Sequence, residues 1–218
     1  MNDKKYEVSL EIAGPAAMFT RPDTGAAPVS YPAPTYSAVK GIFESIAWYE
    51  SAYIKPTKVG ICSPVQFEKY TTNYGGPLRK ADQINKSASY QLPALILIDV
   101  CYRMYGRVEE VASAPQKNNH IHALQEIFLR RLKKGQLHYT PFFGWKEFVP
   151  SYVGVFKDNT KIEKDINLEL ESMLVSPFET DVTLKGNEIR NTARYANNVK
   201  IENGVLNFDS EPFKKAGC

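Results

Sequence analysis

The feature that most constrains this chain is the order in which its hydrophobic periods change. Residues 6–12 (YEVSLEI) alternate apolar and polar, the period of a strand with one buried face. Val39, Ile42, Phe43 and Ile46 then fall at spacings of three and four behind Thr35 or Ser37, either of which can cap a helix running to about Trp48. Residues 58–67 and 89–104, rich in Val, Ile, Leu and Tyr, flank a basic Gly-Gly-Pro loop at residues 74–80 and read as a long hairpin. Behind Asn118 or Asn119, the residues Ile121, Leu124, Ile127, Phe128 and Leu132 mark a second helix, which Gly135 stops after a basic last turn. Residues 137–148 read as an extended aromatic strand.

The order strand, helix, strand, strand, helix, strand predicts an α+β protein with a ferredoxin-like (RRM-type) βαββαβ domain over residues 1–149. Its open sheet face would be a platform over which cations and imidazoles converge. Short alternating segments at 152–156, 166–174 and 199–208, with an intervening Glu-Asn-Gly turn, predict a small C-terminal antiparallel β-sheet appendage over residues 150–218. Residues 14–34, rich in Pro, Gly, Ala and Thr, are expected to form one long covering loop.

The chain's 43% hydrophobic and 23% charged residues are those of an ordinary globular protein. Its longest apolar stretch, residues 92–101, contains Pro93 and Asp99 and is about half the length that crosses a bilayer as a helix, so no membrane partner is expected. The first residues, Met-Asn-Asp-Lys-Lys, lack the apolar run of a secretory signal, which predicts a cytoplasmic location. Cys62, Cys101 and Cys218 form no C-x-x-C pair, so neither a disulfide framework nor a zinc site is suggested. The net charge of +3 is a weak hint of a nucleic-acid partner, but its distribution says more. Residues 117–134 carry five basic residues against one acid, whereas residues 150–218 carry nine against eleven.

Three stretches point to one family: GPAAMFTR (14–21), SYPAPTYSAVKGIFESIAW (30–48) and FLRRLKKGQLHYTPFFGWKEF (128–148). With the hairpin between them, they resemble the CRISPR-associated Cas-five family, d variant, of type I-C systems in the RAMP superfamily. The resemblance implies an RRM-like domain that recognises the CRISPR repeat hairpin. It also implies an endoribonuclease without cofactor or metal that stays on the guide transcript beside the backbone and large subunits of the effector complex, and it leaves DNA open as a further partner.

In that family the catalytic groups are a tyrosine at the end of helix one and a Lys-His pair at the start of helix two. Ungapped alignment puts Ala47 on the tyrosine and Ala123 and Leu124 on the pair, while Tyr49, Lys117, His120 and His122 lie close by. These four are the candidate catalytic residues, because metal-free cleavage needs a base for the 2′-hydroxyl, a cation for the phosphorane and an acid for the leaving oxygen. For the two histidines the competing reading is a solvated helix start. Candidate RNA contacts are Lys40, Arg79, Lys80, Arg130, Arg131, Lys133 and Lys134 for phosphates, with Tyr36 and Trp48 as base-stacking surfaces. For the basic helix end the competing reading is a solvated terminus favoured by the helix dipole, and for the aromatics it is core packing. Two functions remain open, a repeat-cutting endoribonuclease and a subunit that only clamps the 5′ handle. A general RNA binder outside CRISPR is a third.

Overall fold

Strand β1 (Glu7–Ala17) sends Val8, Leu10 and Ile12 to one face of a sheet and Glu11 to the other, as its alternation predicts. The computed structural model describes residues 6–25, 27–74, 80–111, 119–180 and 191–218. β1 runs through Gly14 and Pro15, so the covering loop begins after Ala17 rather than at residue 14. Pro15 is tolerated because β5 (Tyr152–Gly154) bonds β1 only across Glu11, Ile12 and Ala13.

Helix α1 (Tyr36–Ile46) follows, then β2 (Ala52–Ile61) and β3 (Gln66–Tyr74). The expected strand at 58–67 is therefore the end of one strand and the start of another, parted at Pro64. A short helix α2 (Ala81–Asn85) leads to β4 (Tyr90–Glu110), which is 21 residues long and pairs with β1, β2 and β3. The predicted hairpin is the β3–β4 pair, in which Phe67 opposes Leu97.

Helix α3 (His120–Lys134) ends at Gly135 in the left-handed conformation, as its sequence predicts. Its Leu124, Phe128 and Leu132 pack with Val39, Ile42, Phe43 and Ile46 of α1 on one face of the sheet, where the Phe43 and Phe128 rings lie 5.8 Å apart. Residues 137–148 form no strand. Their aromatic content suggests β-structure, but Phe143 plugs inward against Phe19 and Tyr102, and its N–H and carbonyl bond Phe148 and Trp145 within the segment itself. Gly144, at φ +81°, permits this turn; a Cβ there would meet the Met18 carbonyl. The strand that follows α3 is β5.

The remaining strands are β6 (Leu168–Thr180), β7 (Asn191–Glu202) and β8 (Val205–Asn207), before helix α4 (Glu211–Lys215). Asn203 and Gly204 have φ of +50° and +72°, the turn that Glu-Asn-Gly predicts between β7 and β8. Because β8 also pairs with β2, the described strands form one sheet in the order β5-β1-β4-β2-β8-β7-β6, with β3 on β4.

Residues 155–166 cross the sheet face opposite α1 and α3. Phe156 lies under the Arg103 guanidinium at 4.6 Å, Ile162 fills the space above Gly60, and Glu163 bonds the Ile61 carbonyl. Glu11, fully buried on this face, accepts hydrogen bonds from Arg103, Lys157 N–H and Thr160. The open platform expected on this face is thus roofed at its centre, since a buried carboxylate needs donors that the sheet alone does not supply.

Candidate nucleic-acid interface

Thr35 caps α1, its hydroxyl accepting from Ala38 N–H at 3.3 Å. Tyr36 sits edge-on to Phe208 at 5.5 Å, and burial raises its phenol pKa, so its ring is engaged in packing. One turn on, Lys40 lies 3.8 Å from Glu44 and 5.4 Å from the Tyr53 ring centre. The helix ends where Ala47 turns extended, its N–H bonded to the Phe43 carbonyl. Trp48 then projects outward with 57% of its surface exposed, while Tyr49 packs partly against the core.

These groups surround a cavity of about 290 Å³, lined by Lys40, Ala47, Trp48, Tyr49, Tyr53 and Val111 among others. The Tyr53 phenol donates to Glu109 at 3.1 Å, and Glu109 also accepts two bonds from Arg107. Burial, with the Glu109 charge second, pushes the Tyr53 phenol up to about 12. At neutral pH it is therefore a hydrogen-bond donor and a poor base.

At the same end of the sheet, α3 begins. His120 is 5% exposed, with Nε2 3.4 Å from the Glu110 carboxylate; Glu110 opposes Ala52 across the β2–β4 ladder and precedes Val111, both of which line the cavity. His122 is exposed and lies 6.3 Å from the Tyr6 ring. Two residues apart on a helix, the imidazoles face different directions and serve different surroundings. Ala123 is half-buried, and Leu124 is in the core.

At the other end of α3, Arg130, Lys133 and Lys134 are exposed, while Arg131 donates to the Ile46 carbonyl at 2.9 Å and ties α3 to the end of α1. Lys80 is exposed in front of α2, its N–H held by Gln83 at 2.9 Å. Arg79 and Lys117 lie outside the described residues. The fold therefore gathers Lys40, Trp48 and Tyr49 at one cavity with His120 nearby. Tyr36 packs on Phe208, and Lys80 stands in front of α2.

Tyr53, Glu109 and Glu110 were not among the sequence-based candidates. Tyr53 does carry a local signal, as a third aromatic close behind Trp48 and Tyr49, whereas the two acids approach it and His120 only through the β2–β4 register. No group of three or more potential metal ligands occurs among the described residues.

A family model described as "CRISPR-associated protein (Cas_Cas5)" matches residues 8–194. A protein of Thermus thermophilus named CRISPR pre-crRNA endoribonuclease Cas5d is 30% identical over 168 residues, 77% of this chain and 71% of its own length. A protein of the same name from Mannheimia succiniciproducens is 28% identical over 225 residues, covering 94% of this chain and 95% of the relative. Among solved structures, one titled "Crystal Structure of CRISPR-associated Protein" superposes with a TM-score of 0.66 at 19% identity, covering 94% of this chain and 92% of that one. At that identity the superposition speaks to the fold alone.

Proposed function

The chain belongs to the Cas5 family of CRISPR-associated proteins, and from that premise we propose that it is a pre-crRNA endoribonuclease that binds the CRISPR repeat hairpin, cuts it without a metal, and stays on the 5′ handle. Its partners are then the crRNA and the backbone and large subunits of a type I-C interference complex in the cytoplasm, with DNA as a further candidate. The observation that carries the reading is the cavity at the end of α1, where a cation, exposed indole and two phenols meet beside the His120–Glu110 pair.

In cleavage by the neighbouring 2′-hydroxyl, a base takes that proton, a cation stabilises the phosphorane and an acid protonates the departing 5′ oxygen. Lys40 is the cation. His122 is the imidazole exposed to RNA, and Lys117, five residues before it in the sequence, is a second candidate cation. His120, buried on Glu110, positions the start of α3. Tyr49 orients the strand, while Tyr53, its O–H held by Glu109, presents its ring to the Lys40 ammonium. Arg130, Lys133 and Lys134 follow the phosphates, with Lys80 in front of α2 and Arg79, its sequence neighbour, as further candidate contacts.

The order β5-β1-β4-β2 with two helices on one face supports treating the first part as a ferredoxin-like unit. We keep the division at residues 1–149 and 150–218, the latter adding β5 to that unit and a smaller β-rich arm through the β2–β8 pair.

A second reading, a subunit that clamps the handle without cutting, is favoured by the burial of Ala47 and Leu124 at positions that align with the family's catalytic tyrosine and histidine. Incubation with the cognate repeat RNA in EDTA separates the two. A specific cut that is lost in the His120→Ala, His122→Ala double variant is the outcome expected of the endoribonuclease. Salt-sensitive binding with no cut would select the clamp.

A further inference from the structure

On the other side of α1 from Lys40 lies a second cavity, of about 340 Å³, which the cleavage scheme does not use. Each of the three separated stretches that carry the family resemblance supplies part of its wall: Thr20 from the first, Ser37 and Gly41 from the second, Tyr139 and Trp145 from the third. We propose that this cavity takes one nucleobase turned out of the single-stranded flank of the bound transcript. The proposal rests on the RNA-binding reading above and adds to it a defined position for one base.

The volume is near the lower end for ligand pockets, enough for a single base and too small for paired strands. Its aromatic walls are held in place before any ligand arrives. Trp145 lies parallel to Phe148, 5° between planes, and its indole N–H donates to Thr20 at 3.0 Å. The Tyr139 phenol donates to the Gly41 carbonyl at 3.1 Å. Ile42 and Met18, both buried, give an apolar floor. The Thr35 and Ser37 hydroxyls, 3.2 Å apart, border the same space and can both donate and accept, as the edge of a base requires. An aromatic slab beside a short hydroxyl edge is the chemistry by which unstacked bases are held.

Gly41 is the independent observation. It lies inside a helix, where glycine is a poor choice, yet its φ is not positive and nothing comes within 4 Å of the Cβ an alanine would add. Neither backbone conformation nor packing within the protein calls for a glycine here. The space it leaves opens into the cavity, which is where an external group would need it. The next residue back, Lys40, faces the other cavity, so a strand crossing α1 can seat a base here while its phosphate meets that ammonium.

The test uses the full chain and a labelled cognate repeat hairpin, intact or with one abasic position at a time in its single-stranded flank. One abasic position is expected to weaken wild-type binding roughly tenfold, the scale of base–aromatic stacking. Gly41→Leu, which fills the cavity, should weaken binding of the intact RNA by a similar factor and show no further loss with that abasic RNA. Gly41→Ala should melt no lower than wild type, with an intermediate affinity. In addition, 2-aminopurine at the coupled position should be quenched on binding wild type, a readout independent of whether the leucine variant folds. Equal losses at every abasic position, or wild-type affinity in a folded Gly41→Leu, would overturn the pocket alone. Wild-type RNA affinity in Gly41→Leu combined with loss of the companion subunits would overturn it in favour of a protein side chain as occupant. Failure of wild type to bind the hairpin at all would overturn the RNA-binding reading and the pocket together.

Discussion

Replacing Glu11 with alanine removes the carboxylate that holds residues 155–166 over the sheet. Glu11 is fully buried and accepts from Arg103 Nε at 3.3 Å, from Lys157 N–H at 3.2 Å and from the Thr160 hydroxyl. Removing one partner of a buried pair costs about 3–5 kcal/mol. The lower end applies, because Arg103 is partly exposed and keeps the Lys157 and Thr160 carbonyls, each at 2.8 Å. About 3 kcal/mol in a chain of this length lowers Tm by roughly 6–12 °C. Glu11→Gln keeps an acceptor but not the charge, and should lose about half as much. Thermal unfolding measures the stability change, and limited trypsin digestion should reveal earlier cutting at Lys157, Lys161 and Lys164 as the roof loosens. RNA affinity of the folded variant should stay within about twofold of wild type, since the proposed RNA surface lies along α1 and α3. A Tm change under about 2 °C with unchanged protection would refute the anchoring argument. A large loss of RNA affinity in folded Glu11→Ala would return the opposite sheet face to consideration as the platform.

Single neutralisations of Arg130, Lys133 and Lys134 should each flatten the slope of log affinity against log salt by about 0.7–0.9, read from titrations at several salt concentrations; an unchanged slope would leave that cation at a solvated helix end. Tyr53 has a folded pKa above its unfolded value, so the stability it contributes is present below about pH 10 and is lost as pH rises toward about 12. Tyr36 and Tyr102, raised by burial, add in the same direction, so the measurement is the difference between wild type and Tyr53→Phe. The alkaline fall in Tm should be smaller in the variant, and identical profiles would contradict the shift.

Part of this was legible without coordinates. The start, buried stripe and glycine stop of α3, the alternation of β1 and the Asn-Gly turn between β7 and β8 are local, each specified by residues within a few positions of one another. The aromatic run at 137–148 misled because β-propensity records a preference for half-buried surroundings, and here those surroundings came from a looped plug around Phe143. The site was legible only in outline. Lys40, Trp48 and Tyr49 follow from the motif that holds them, but the partners that set their chemistry do not.

By itself the amino-acid order determined the two long helices α1 and α3 with their buried stripes, the buried face of β1, the turn between β7 and β8, and the family. The folded chain decided that Glu109 meets Tyr53, that Glu110 meets His120, that Arg131 binds the end of α1, and that one sheet face is roofed. The physical reason is that hydrophobic periodicity encodes which side of an element is buried. Strand register and the choice of partner across tens of residues arise only when those buried sides close on one another.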